Sequence, residues 1–529
     1  MRNITIFDST LRDGAQAEGI SFSVSDKLKI VATLDELGVG FIEAGNPGSN
    51  PKDLEFFKEV KKLSLKTAKL TAFGSTRRRN IKVEEDSNVK SLLEADTPAV
   101  AIFGKAWDFH VTEIIKTTLE ENLKMIYDTI AFFKEKGKIV IFDAEHFFDG
   151  YKNNKQYAME ALKAAQNAGA DCIALCETNG GAFPDEVYEI VSEVVKEIHT
   201  KVGIHTHNDT GMGVANSMMA VFAGATHVQG TLVGFGERCG NANLSTIIPN
   251  LQIKRGYKCV DDEKLKKLTT YAIRVSEIAN LPLSDQMPYV GKSAFAHKAG
   301  MHIDGVTKAS TSFEHVPPIS VGNERRFLMS EVAGRSTILE KVQRINPNIK
   351  RDDPVTTIIV NRIKELEYKG YQFEGAEGTF ELLVRKALGK YKPFFDLEEF
   401  KIIGEEPSGS EGVSSSAIIK VKVDGKVEMT AAEGEGPVNA LDKALRKALE
   451  VFYPELKNVR LTDYKVRVLD TKSATAAKVR VLLESTDGEG YWSTVGVSTD
   501  IIEASWIALV DSIEYKLIKD IEKKFKAYL

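Results

Sequence analysis

Eight short, β-rich apolar runs, each followed by a longer amphipathic stretch, occupy residues 1 to about 255 and constrain this chain more than any other feature. The runs are Ile4 to Asp8, Phe41 to Ala44, Lys69 to Phe73, Ala99 to Phe103, Ile139 to Asp143, Cys172 to Cys176, Gly203 to His207 and His227 to Thr231. Eight strand–helix repeats within roughly 250 residues predict an α/β fold, a (β/α)8 TIM barrel. A doubly wound sheet would show fewer strands and a phosphate-binding glycine fingerprint. Polar residues gather where the runs end: Asp8 to Asp13, Glu43, Asp143 with Glu145, Glu177 with Thr178, His205 to Asp209 and Glu237 to Asn243. In a barrel, those strand ends form the catalytic face.

A length of 529 residues is too great for one core and predicts about three domains. Residues 1–255 form the expected barrel. Residues 256–392 read as a helical connector, with periodic stretches at Glu263 to Ala279 and Thr357 to Tyr368 and a polar, loop-like segment from Ser284 to Arg326. In residues 393–529 the pattern changes, and alternation in Ala417 to Val423 and Lys465 to Val468 predicts antiparallel strands of a C-terminal α+β domain. Val438, Ala440, Ala444 and Leu445 recur as Ile502, Ala504, Ala508 and Leu509, 64 positions later (504 − 440 = 64). Two copies of a strand–strand–helix unit are therefore expected.

Composition narrows the partners. A net charge of −5 gives no reason to expect nucleic acid or an anionic membrane. The first residues enter a strand pattern without the apolar stretch of an export signal, and no 18-residue apolar run occurs. Four cysteines without a CxxC pair argue against a disulfide framework or a structural zinc site, so a reducing cytoplasm is the expected compartment.

Chemistry concentrates in His205-Thr206-His207. Successive strand residues alternate faces, so both imidazoles point the same way, a metal-ligand arrangement. Asp13, beyond the first strand, and the Gly240-to-Asn243 turn beyond the eighth can converge with them, because strands one, seven and eight are neighbours in a closed barrel. A mixed nitrogen and oxygen site suits Mn²⁺, Zn²⁺, Co²⁺ or Mg²⁺, and the imidazoles shift the balance away from Mg²⁺. Arg12 adjoins Asp13 and can stabilise a developing alkoxide, or form an ion pair with Asp8 or Glu43. Gly234-Phe235-Gly236 lacks the third glycine and acidic ribose ligand of a dinucleotide loop, and Cys239 is read as loop geometry, not as a nucleophile.

Asp8-Ser9-Thr10-Leu11-Arg12-Asp13-Gly14-Ala15-Gln16, His205-Thr206-His207-Asn208-Asp209 and Gly234-Phe235-Gly236-Glu237-Arg238-Cys239-Gly240-Asn241 resemble, in order, the signatures of the isopropylmalate synthase family, the DRE-TIM metallolyases. Ala72 to Arg78, Ile102 to Lys105 leading into Trp107 to His110, Asp143 to Tyr151 and Ser293 to His302 resemble its citramalate synthase branch. The resemblance continues through Gly334 to Ser336, Gly370 to Ala376 and Ala432 to Leu441.

That resemblance implies Asp13, His205, His207 and Asn241 as ligands of a divalent metal. It implies catalytic roles for Arg12, for Glu145 as a base toward acetyl-CoA and for His302 reaching a partner's barrel. Arg12 and Thr178 would bind the substrate, with Phe73 and Phe103 narrowing the pocket around pyruvate. The expected reaction is a condensation of acetyl-CoA with pyruvate to (R)-citramalate, in a homodimer whose C-terminal domain binds isoleucine. The alternatives are 2-isopropylmalate synthase acting on 2-oxoisovalerate, a retro-Claisen lyase and an inactive amino-acid sensor. Family members often carry tyrosine where this chain has Phe313, which puts any role for that hydroxyl in doubt.

Overall fold

A computed structural model describes the chain except residues 1, 49–50, 299, 329–341, 344, 348, 351–352, 374, 405–414, 470–476, 489 and 528–529. Gly334 to Ser336 therefore lies outside the described residues, as do Ala299 and Glu374 of two other family-like segments. Two compact units emerge, one comprising residues 1–296 and 310–326, the other 297–309 and 327–529.

The first unit is a closed, all-parallel barrel of eight strands. These are β1 (Thr5–Asp8), β2 (Phe41–Glu43), β3 (Lys69–Ser75), β4 (Ala99–Lys105), β5 (Ile139–Glu145), β6 (Cys172–Glu177), β7 (Lys201–Thr206) and β8 (His227–Gly230). Each lies within two residues of its expected run, and β1 closes the ring by pairing with both β2 and β8. Strand alternation assigns two environments. On every strand but β6, whose phase is reversed, even-numbered residues such as Ile6, Ile42, Val100, Ile102, Val140, Phe142, Ile204 and Val228 face the helices in one large core. Odd-numbered residues Phe7, Ala101 and Ile141 belong to the barrel lumen. This two-sided burial explains why the runs look almost continuously apolar. Helices begin where side chains satisfy orphan backbone donors: Ser23 and Asp26 form a reciprocal capping box for Val24–Leu37, and Asp86 accepts from Asn88 and Val89.

Deep in the lumen the His227 ring packs 5.3 Å from Phe7 and 6.1 Å from Phe41. Gly203 leaves it room, since a Cβ there would stand 2.8 Å from the ring.

Beyond the barrel, two expectations are corrected. Glu263 to Ala279 is not one helix but two, Asp262–Leu265 and Leu268–Ile278, broken at Lys266 and Lys267. Ser284 to Arg326 is not all loop: Gly300–Lys308 is helical, a short polar segment with too little apolar periodicity to announce itself. Among the described residues no helix is long and apolar enough to cross a membrane.

In the second unit the repeat holds, but each copy has three strands, not two. Asp396–Gly404, Ser415–Val423 and Lys426–Gly434 precede helix Pro437–Leu449, and Arg460–Val468, Val479–Thr486 and Tyr491–Ser498 precede helix Ile501–Ala527. The first strand of each copy carries an irregularity, at Leu397/Glu399 and at Leu461/Asp463, again 64 positions apart (461 − 397 = 64). A bulge shifts the alternation of side chains, which is why Asp396–Gly404 is hard to read as a strand. Ala440, Ala444 and Leu445 match Ala504, Ala508 and Leu509 in the buried core between sheets and helices. Gly496 lies within the strand Tyr491–Ser498, and the helix begins five residues later at Ile501.

Burial pushes the His227 imidazole down to about 3. The unfolded chain takes up this proton near pH 6.5 while the fold does not, so its contribution to stability is complete above that pH and falls through the window between the two values. His227→Leu removes the effect. Between pH 7 and pH 5 the variant should lose roughly 2 kcal/mol less stability than the parent, read as the shift in urea unfolding. Equal losses would show that the ring titrates normally in the fold.

Candidate active site

The lumen-facing parity continues to the top of the barrel, where it selects functional side chains. On β7, His205 and His207 share a face, their ring centroids 5.1 Å apart and both rings buried. The turn after β1 brings Asp13 alongside, with its backbone N–H donating to Ser9 Oγ at 3.2 Å. Asp13 Oδ2 lies 3.3 Å from His205 Nε2 and 3.8 Å from His207 Nε2, and the two Nε2 atoms are 3.3 Å apart. Donors bonded to one divalent cation at about 2.0–2.2 Å sit roughly 3–3.5 Å from each other, so the trio is nearly pre-spaced for such an ion. Asn241 pairs with His207 in an isolated bridge, and its Oδ1 is buried without a hydrogen-bond partner. Such an orphan acceptor fits a fourth ligand. Gly236, at φ +157°, makes room for it: a Cβ there would stand 2.1 Å from Asn241 Nδ2.

Electrostatics agree with a cation site. Burial alone would raise the Asp13 carboxyl, but Arg12 and the His205 hydrogen bond outweigh it and hold Asp13 well below the usual range. Burial, then the neighbouring His205, pushes His207 down to about 4, leaving a neutral imidazole at pH 7. Arg12 forms the expected ion pair with Glu43. Its Nε meets Glu43 Oε2 at 2.7 Å and its Nη1 lies 3.4 Å from Asp13, while the guanidinium stacks 3.9 Å above the Phe73 ring. Phe73 in turn stacks on Phe103, centroids 5.1 Å apart and planes 16° from parallel.

The HMGL-like family model matches residues 3–274, the homocitrate synthase post-HMGL domain-like model residues 289–370, and the LeuA allosteric (dimerisation) domain model residues 374–517. The chain is 53% identical to the (R)-citramalate synthase of Aquifex aeolicus over 98% of its own length and 99% of that protein. It is also 53% identical to that of Geobacter sulfurreducens, over 99% of both. The chain belongs to the (R)-citramalate synthase family. A probable 2-isopropylmalate synthase of Methanopyrus kandleri, 32% identical over 96% of the chain and 97% of that protein, is more distant.

Other residues expected at the site are placed as follows. Glu145, at the end of β5, forms an ion pair with Lys105, its register partner on β4. Thr178 follows β6; its Oγ1 accepts from the His146 backbone N–H at 3.0 Å, and its carbonyl accepts from Arg238 at 2.7 Å. Arg238 also grips Asp209 through two contacts of 2.8 and 3.0 Å, tying the Asn241 loop to the end of β7. His302 stands exposed on helix Gly300–Lys308, which belongs to the second unit. Gly234 to Gly236 serves Asn241, and Cys239 is exposed.

Three participants escaped the sequence reading: Lys105, Arg238 and Gln229. Gln229 Oε1 lies 3.0 Å from His205 Nδ1, and Gln229 Nε2 donates to Asp143 Oδ1 at 2.8 Å. Its signal was available, because it shares the lumen parity of His227 two residues earlier.

The trio yields a direct test. His205→Ala and His207→Ala should each weaken Mn²⁺ binding at least tenfold in isothermal titration, since each removes one of few ligands from a nearly pre-spaced site. Undiminished binding in both variants would place the metal elsewhere.

Proposed function

We propose that the chain condenses acetyl-CoA with pyruvate and hydrolyses the thioester, giving (R)-citramalate and free CoA. The observation that carries this reading is the buried trio of Asp13, His205 and His207 beside Arg12, in a chain of the (R)-citramalate synthase family. Asp13, His205, His207 and Asn241 would hold a divalent ion, Mn²⁺, Co²⁺ or Zn²⁺ ahead of Mg²⁺. When bound, that ion supplies Lewis acidity toward the 2-oxo acid.

The chain's own groups supply the rest. Arg12, fixed by Glu43 and the Phe73 ring, offers a preorganised cation to the oxygen that gains charge as the ketone is attacked. The Thr178 oxygen already accepts from His146 N, so its hydroxyl proton is available to the substrate carboxylate. Glu145, held at the barrel mouth by Lys105, would remove a proton from the acetyl methyl group, and His302 would serve a partner's barrel. The methyl carbon then bonds the ketone carbon, and water releases CoA. Phe73 and Phe103 wall the space beside the ketone and favour a methyl over an isopropyl group.

This predicts metal-dependent release of CoA thiol, with kcat/KM for pyruvate above that for 2-oxobutyrate, 2-oxoisovalerate or 2-oxoglutarate. Phe103→Ala should narrow the pyruvate preference over 2-oxobutyrate by about ten- to a hundredfold, the scale of one or two methylenes. A preference for 2-oxoisovalerate in the parent enzyme would establish the isopropylmalate reading instead.

Residues 1–255 would be the catalytic domain, 256–392 the connector and 393–529 a dimeric regulatory domain, supported by the match to the allosteric domain model at 374–517. We assign isoleucine as its ligand and the cytoplasm as the compartment, consistent with four free cysteines. Helix Pro437–Leu449 starts directly after Gly436 and can offer backbone N–H groups to a carboxylate. Gly496, embedded in its strand, has no such role. A coupling of ~1–3 kcal/mol suffices for feedback. Isoleucine should inhibit the full-length enzyme at least tenfold more strongly than leucine, measured as the half-inhibitory concentration. Stronger inhibition by leucine would overturn the assignment.

A further inference from the structure

We infer that Gln229 is a positioning residue that decides which ring nitrogen of His205 is offered to the metal. The inference rests on the metal reading above and extends it to a residue outside the four ligands. Parallel pairing of β7 with β8 places Gln229 directly beside His205 in register. Its side chain spans from His205 Nδ1, 3.0 Å from Oε1, to Asp143 Oδ1, 2.8 Å from Nε2. All three side chains are nearly inaccessible, at 5%, 0% and 4% exposure for His205, Gln229 and Asp143, so water does not compete for these bonds. Small lumen residues, Ala101 and Ala174 among them, leave the barrel open enough for the bridge.

The chain of constraint runs outward from the carboxylate. An ionised Asp143 only accepts hydrogen bonds, so it takes the amide N–H of Gln229. The amide then has only its carbonyl left for His205, and a carbonyl also only accepts. Nδ1 must therefore carry the ring proton. Nε2, the atom 3.3 Å from both Asp13 and His207 Nε2, is left as the nitrogen that faces the site. His207 lacks such an anchor, as its Nδ1 is buried with no hydrogen-bond partner. The two imidazoles are therefore unequal. His205 is fixed before the ion arrives, whereas His207 must be oriented by binding. An amide suits the intermediate position better than a carboxylate, which would stand against Asp143 and add another anion to a site that already holds Asp13 and Glu43.

Two measurements test this, both at mildly alkaline pH, above the value of about 7 to which burial pushes Asp143. Two-bond ¹H–¹⁵N correlation on metal-free wild-type protein should show His205 protonated on Nδ1. Gln229→Met, close in shape but without donor or acceptor, should lose that fixed tautomer and raise the Mn²⁺ dissociation constant 10–100-fold in isothermal titration. Loss of packing alone would leave the tautomer unchanged. The inference is overturned if wild-type His205 carries its proton on Nε2, or if Gln229→Met binds Mn²⁺ within twofold of wild type. The tautomer reading needs no variant, so it decides the matter even if Gln229→Met does not fold. Wild-type protein that binds no Mn²⁺ would overturn the metal reading and this inference with it. Normal wild-type binding with an unchanged variant would overturn this inference alone.

Discussion

The Arg12 guanidinium, 2.7 Å from Glu43 and 3.4 Å from Asp13, is the interaction on which the top of the barrel depends. Four carboxylates are buried there, Asp8, Asp13, Glu43 and Asp143. One cation cannot compensate four anions, and the fold responds unevenly. Asp13, beside both Arg12 and the imidazoles, is held well below the usual carboxylate range, whereas burial pushes Asp8 and Asp143 up to about 7. A buried charge left without a partner costs several kcal/mol, so such groups either take up protons or meet further positive charge. A divalent ion between Asp13, His205 and His207 would provide it. The electrostatic imbalance and the spacing of the donors thus make the same demand.

What delivers those groups is the phase of the strands. Because the barrel closes with every strand parallel, one parity of residues faces the helices and the other faces the lumen. The lumen set changes character along the strand axis. Phe7, Ala101 and Ala174 make an apolar floor, and Gln229, His205, Asp143 and Glu145 follow two residues at a time toward the C-terminal ends. Stability and chemistry therefore occupy different levels of one interior. A one-residue slip in any strand would exchange its lumen residues for the apolar ones that pack the helices.

Much of this is legible in the sequence because alternation is local. Eight runs, a same-face histidine pair and the convergence of strands one, seven and eight require only parity and closure, and all three are present. Other features depend on information that is not local. The Lys105–Glu145 pair arises from the β4/β5 register, which no single segment encodes. Arg238 is legible as part of a motif, but its partners Asp209 and Thr178 belong to different strand ends. The first strand of the first C-terminal copy, Asp396–Gly404, is hidden by a bulge that pattern reading takes for loop, and the second copy carries the same irregularity at Leu461/Asp463. Its recurrence at the same point of both copies argues that one unit was duplicated with its irregularity already in place, since two independent strands have no reason to kink at equivalent positions.

On the proposed function, the two phenylalanines join specificity to catalysis. Phe103 stacks on Phe73 and lies 5.7 Å from Lys105 Nζ, whereas Phe73 carries the Arg12 guanidinium on its face. A cation over an aromatic ring gains ~0.5–2 kcal/mol, and that contact also limits where the guanidinium can swing. Shortening Phe73 would enlarge the pocket and free Arg12 at once, so selectivity and turnover would change together. Shortening Phe103 leaves the ring beneath Arg12 in place. On the proposed function, the β4 side can therefore change pocket size without freeing Arg12, whereas the β3 side cannot.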